Sequence, residues 1–172
     1  HLRKISTQTG AMGLLGALAS LSLPPISLFP AVLAFVLFLI HASNSKSTWQ
    51  TILLYWGFAF GWFTASLYWI SASLFVDISW EVLILPLSLF ALPAFLSLFW
   101  GLAGFFVYRI GRTAESRMVY SVLFIGLAEL LRSVILTGFP WNSPSQLILA
   151  NDHLSQIASL IGQNGSVFLV LL

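Results

Sequence analysis

The chain holds no cysteine among its 172 residues. No disulfide, thiolate-bound metal or cysteine nucleophile can be built from it. Charge is almost as scarce. Only 7% of residues are Asp, Glu, Lys or Arg, against about 25% in a soluble domain. Five acidic and seven basic residues leave a formal net charge of +2. So few charges make neither a basic nucleic-acid surface nor an acidic tail. The three histidines, His1, His41 and His153, have no metal-ligand spacing. Neither a metal nor a cofactor is expected.

What remains is apolar. Hydrophobic residues make up 59% of the chain, with seven Trp, four Tyr and fifteen Phe. Mean hydropathy is +0.97. Residues 11–40, 51–76, 82–108, 118–128 and 154–172 contain no Asp, Glu, Lys or Arg. A membrane-spanning helix needs roughly 20 apolar residues, and helices satisfy their own backbone in hydrocarbon. The expected fold is all-α: one polytopic transmembrane domain over 1–172, with about five complete spans and the start of a sixth. The alternation of a transmembrane barrel is absent.

The connectors set the orientation. Arg3, Lys4, Lys46, Arg109, Arg112 and Arg117 lie at the start or in the 41–50 and 109–117 connectors. Asp77 and Glu81 occupy the connector between. Loops rich in Lys and Arg stay cytoplasmic. The chain therefore starts inside with a hairpin, 11–23 and 26–40, turning at Leu23-Pro24-Pro25. It goes out at 51–76, returns at 82–108 and goes out again at 118–136. The sixth helix begins near 160. The hairpin's first arm gives only about 20 Å of helix, so a single kinked span over 11–40 is the alternative. A secretory signal, imitated by Arg3-Lys4 and Ala17-Leu18-Ala19, is a further one.

Small residues suit close helix contacts in lipid. Gly10, Gly13 and Gly16 line the first segment, and Gly57 with Gly61 form a GxxxG in the third. Pro93 is expected to kink the 82–108 helix. Glu129 and Arg132 share a face of the fifth span, three residues apart. Ionisable groups in a span face protein or water. They form either a pair that orients a lipid headgroup or an internal ion pair that locks helices, and Arg132 could also snorkel. Thr137-Gly138-Phe139-Pro140-Trp141-Asn142 reads as a helix stop with an interface anchor. The polar stretch 142–156 is expected to form a half-buried segment at the outer surface. Tyr68 and Trp69, with Trp80, build an aromatic shelf on that side.

In order, these pieces resemble the amino-terminal membrane part of the apolipoprotein N-acyltransferase family. The small-residue helix ends in Leu23-Pro24-Pro25, and the Gly57–Gly61 helix leads to Leu67-Tyr68-Trp69-Ile70. Glu129-Leu130-Leu131-Arg132 runs into Thr137-Gly138-Phe139-Pro140-Trp141, the most specific of the set. The resemblance implies a bacterial inner-membrane protein that moves an acyl chain from phospholipid to the amino group of a lipoprotein's diacylglyceryl-cysteine. The family's transfer is ping-pong, through a thioester on the Glu-Lys-Cys triad of a periplasmic nitrilase-like domain. This chain has no cysteine, and its only lysines are Lys4 and Lys46. The chain is therefore expected to be a fragment that ends before that domain, inactive alone, with no catalytic residue of its own. Glu129, Arg132, Gly138, Phe139, Pro140, Trp141, Tyr68 and Trp69 are the candidate rim where lipid enters. The expected partners are the bilayer, a phospholipid donor and a diacylated lipoprotein acceptor. A transporter fragment and a non-catalytic scaffold are the rival classes.

Overall fold

The computed structural model describes residues 2–73, 86–135, 142–149 and 152–172. These form helices joined by short turns, with no strand among them. Helix α1 spans Leu2–Ser20, α2 Leu33–Ser43, α3 Thr48–Ser66 and α4 Tyr68–Ser73. A π-helical turn, Leu87–Ala91, leads into α5, Leu92–Ile110. Then come α6, Ala114–Ile135, the short α7, Gln146–Leu149, and α8, Asp152–Leu171. Among the described residues two stretches are long and apolar enough to cross a membrane, Leu89–Ile110 and Ala114–Ile135. Phe29–Ser43 and Ala158–Leu171 are shorter apolar helices.

The arm from 11 to 40 is a hairpin. Leu21 to Pro25 leaves the helix, and the Leu28 amide reaches back to the Leu21 carbonyl at 2.9 Å. Helix α1 starts well before residue 11, so Arg3 and Lys4 sit in its first turn. At 1.5 Å per residue its 19 residues reach about 28 Å. The 51–76 run is interrupted at Leu67, where α3 ends and α4 begins. Pro93 falls in the first turn of α5, just after the π-helical turn. Its missing N–H is absorbed where the helix has already changed its bonding pattern, as inserted turns commonly do.

Side-chain contacts fix the direction of each helix. Thr9 lies against Gly57, and Gly16 against Phe58 and Trp62, so α1 and α3 run parallel. Phe35 meets Trp62 while Phe38 meets Tyr55, so α2 runs against α3. Helix α5 opposes α3, with Phe63 beside Trp100 and Gly104 beside Thr51. Helix α6 opposes α5, and α8 opposes α6 through Gly126 and Phe168. One end of the bundle thereby gathers Arg3, Lys4, Lys46, Arg109, Arg112 and Arg117.

That basic end is tied together by polar contacts. Arg117 donates to the carbonyls of Gly111, Ser43 and Ser45 and stacks 4.2 Å over the Tyr108 ring. Thr113 and Ser116 cap α6 reciprocally, each side chain accepting from the other's amide. Ser47 caps α3 by accepting from the Gln50 amide. The centre is aromatic. Phe35, Phe38, Phe58, Trp62, Phe63 and Trp100 are all buried, with stacked and edge-on ring contacts of 4.3–6.5 Å between centroids.

Candidate functional site

Glu129 and Arg132 follow from helix geometry alone, since residues three apart share a face. Their face of α6 points into the bundle. Arg132 is 0% exposed and Glu129 2%. Arg132 Nη2 lies 2.5 Å from Glu129 Oε2, and its Nε lies 3.3 Å from Oε1. The remaining elements complete the cage. Trp100 of α5 donates Nε1–H to Glu129 Oε1 at 2.8 Å. Phe63 of α3 presents its ring face 5.0 Å from the Arg132 guanidinium. Arg132 does not snorkel outward, because its carbon stem and head are wholly enclosed. A buried charge is tolerated when paired and hydrogen-bonded, and this pair meets that condition on α3, α5 and α6 together.

Tyr68 and Trp69 stand at the end of the bundle opposite the basic loops, 57% and 43% exposed. They border a cavity of about 270 Å³ with Ser20, Pro24, Ser66 and Gln146. Among the described residues, no charged side chain lines it. Its floor is pinned by Asn142, whose backbone takes a positive φ of 55°. Trp62 Nε1 donates to the Asn142 carbonyl at 2.7 Å, and Asn142 Nδ2 donates to the Ser66 carbonyl at 2.5 Å. Asparagine is one of the few side chains that tolerate that backbone region. Asn142, Ser143 and Ser145 are buried, as are Leu147 and Ile148 of α7. The polar stretch after residue 141 is thus folded into the bundle end.

Of the candidate rim, Gly138, Phe139, Pro140 and Trp141 lie outside the described residues, as does Trp80. Glu129 and Arg132 come together with each other, and Tyr68 and Trp69 line a separate cavity. Sequence reasoning missed Trp100, Phe63 and Asn142 as partners. Trp100 and Phe63 sit in unbroken apolar runs, where nothing distinguishes them from core. Asn142 carried a signal in its Pro140-Trp141-Asn142 setting, but not its partners.

Residues 15–172 match the family model described as the apolipoprotein N-acyltransferase N-terminal domain. The chain is 35% identical over 160 residues to the apolipoprotein N-acyltransferase of Rhizobium etli. That alignment covers 87% of this chain and 30% of the relative. The Rhizobium rhizogenes enzyme of the same name is 30% identical over 168 residues, covering 92% of this chain and 32% of the relative. The Brucella melitensis enzyme is 33% identical over 160 residues, with 87% and 30% covered. The chain thus spans about a third of the length of these curated relatives.

Proposed function

The chain belongs to the apolipoprotein N-acyltransferase family, matching its N-terminal part, and from that premise we propose that it forms the membrane platform of such an enzyme. The observation that carries this reading is the family match over residues 15–172. The reaction is transfer of an acyl chain from phospholipid to the terminal amine of a diacylglyceryl-cysteine lipoprotein. The thioester step needs a thiol, and this chain has none. Its part is to hold lipid substrates beneath a catalytic domain carried by further sequence. Five spans and part of a sixth cross the inner membrane, with the basic end cytoplasmic. Six basic residues at one end of the bundle support that sense.

The opposite end is then the outer rim. Tyr68 and Trp69 stand there at headgroup level, where aromatic rings are favoured. Glu129 and Arg132 support the rim from below. Gly138, Phe139, Pro140 and Trp141 complete it on this reading.

A chimera tests the proposal. The amino-terminal part of the Rhizobium etli enzyme that aligns with this chain is replaced by this chain. Transfer from phospholipid to a diacylated lipopeptide is then measured per folded molecule. The expected result is retained transfer, at least tenfold reduced by Trp69→Ala, while this chain alone transfers nothing. A folded chimera without transfer would refute the platform, and turnover by the chain alone would refute its division of labour.

A further inference from the structure

Helix α3 ends at Leu67 without a local reason. The stretch Thr64-Ala65-Ser66-Leu67-Tyr68-Trp69-Ile70 holds neither proline nor glycine, the residues that weaken or break a helix by themselves. Leu67 leaves helical geometry all the same, with φ −98° and ψ 8°. Its amide still reaches the Phe63 carbonyl at 2.9 Å, as in an unbroken helix. The change lies in the next acceptors. In a continuous helix the Ile70 amide would bond to the Ser66 carbonyl. It bonds instead to the Leu67 carbonyl, at 3.0 Å. The Ser66 carbonyl accepts from Asn142 Nδ2, 76 positions further along the chain.

Asn142 is itself held for this contact. Trp62 and Ser66 stand four residues apart, on one face of α3. Trp62 Nε1 donates to the Asn142 carbonyl while the Asn142 side chain donates to Ser66, so both bonds run to that face. Trp62 is fully buried and meets Phe35 edge-on, which makes it a rigid anchor. Asn142 is buried too, at its positive φ. The last carbonyls of a helix lack partners within it and are met by side chains or water. Here the partner comes from beyond α6.

We infer that Asn142 is a positioning residue for Tyr68 and Trp69. By bonding to the Ser66 carbonyl it stops α3 at Leu67. It thereby sets the heading of α4, which opens with those two rings. Without Asn142 the carbonyl is left to the Ile70 amide, and α3 runs on through Leu67. Tyr68 and Trp69 then turn with the lengthened helix and leave their places on the outer cavity. The bearing on acyl transfer rests on the reading of these two residues as the rim. The stop in α3 does not.

Electron paramagnetic resonance tests it. The chain has no cysteine, so nitroxides on Ile26→Cys and Tyr68→Cys report a single distance across the cavity that both residues border. Both side chains are exposed. The measurement is made in vesicles of phosphatidylethanolamine and phosphatidylglycerol. Asn142→Gly keeps the backbone angle and the carbonyl that Trp62 holds, and loses the donor to Ser66. It is expected to move the distance by more than the width of the parent distribution. Trp100→Phe, which weakens the bundle elsewhere, should leave the distance in place. In the chimera, Asn142→Gly should lower transfer about threefold to tenfold, as for one hydrogen bond. The loss should be clearly smaller where Trp69 is already alanine, since coupled residues are not additive. An unmoved distance in Asn142→Gly overturns the inference, as does a loss of full size in the Trp69→Ala background. A moved distance with undiminished transfer upholds the stop in α3 and refutes the rim instead.

Discussion

Arg132 shows how much a single side chain depends on its surroundings. Its guanidinium is fully enclosed, with Glu129 as counter-ion and Phe63 across its face. Leaving one member of such a pair behind strands a charge, at about 3–5 kcal/mol. Arg132→Leu is therefore expected to lower thermal stability in detergent by that order. Glu129→Leu with Arg132→Leu together should recover most of the loss, because apolar replacements of both partners are close to neutral. A double mutant that is less stable than Arg132→Leu would show that the charges serve something beyond each other. Trp100→Phe removes the indole donor to Glu129 and part of a buried ring. It should cost at least the ~1.5–3 kcal/mol of a hydrogen bond to a charged acceptor. The three-residue spacing made the ion pair legible in advance. Its third and fourth partners were not, since Trp100 and Phe63 lie 29 and 69 positions from their contacts in α6 and resemble any other apolar residue.

Helix packing in this molecule turns on which glycines touch. The α1/α3 crossing brings a backbone carbonyl of Gly13 onto Gly61 and one of Thr9 within 2.6 Å of a methyl built on Gly57. Gly61→Ala is expected to force the two helices apart, costing at least the ~1–3 kcal/mol of overpacking. Gly10→Ala, on the same stripe, should be neutral or stabilising by up to about 1 kcal/mol, as alanine is the better helix former. Thermal unfolding of the two variants side by side checks the contrast. Equal effects would mean that the crossing is looser than described. The stripe itself was readable from spacing, but its one open position was not. Spacing gives the face, and only the partner's path decides which position has room. The element ends show a similar division. The Leu23-Pro24-Pro25 turn was visible, because two prolines end a helix on local grounds. The break at Leu67 has no such marker, and α3 stops there in the middle of an uncharged run.

At the scale of the whole molecule, the distribution of basic residues was legible before any helix was placed. Helix packing then gathers six of the seven at one end. Since the chain has no cysteine, a single introduced thiol is an unambiguous reporter. Arg112→Cys is expected to resist an impermeant thiol reagent applied to intact spheroplasts and to react after lysis. Tyr68→Cys should react before lysis. The opposite pattern would invert the bundle. Helix α8 was expected to begin near residue 160, yet it runs from Asp152 with one non-helical residue, Gly162, at φ 72°. Other residues rarely hold that backbone angle, which is why a lone glycine marks the spot. The two pieces flanking it have 10 and 9 residues, about 15 Å and 13 Å long. The first of them alone is too short to bridge a bilayer. The forward piece is thus free to leave the heading of the rear one, which stays anchored on α6 through Phe168. Gly162 is an elbow: a greasy strut can run along the membrane surface and then plunge, with a single residue absorbing the whole change of course.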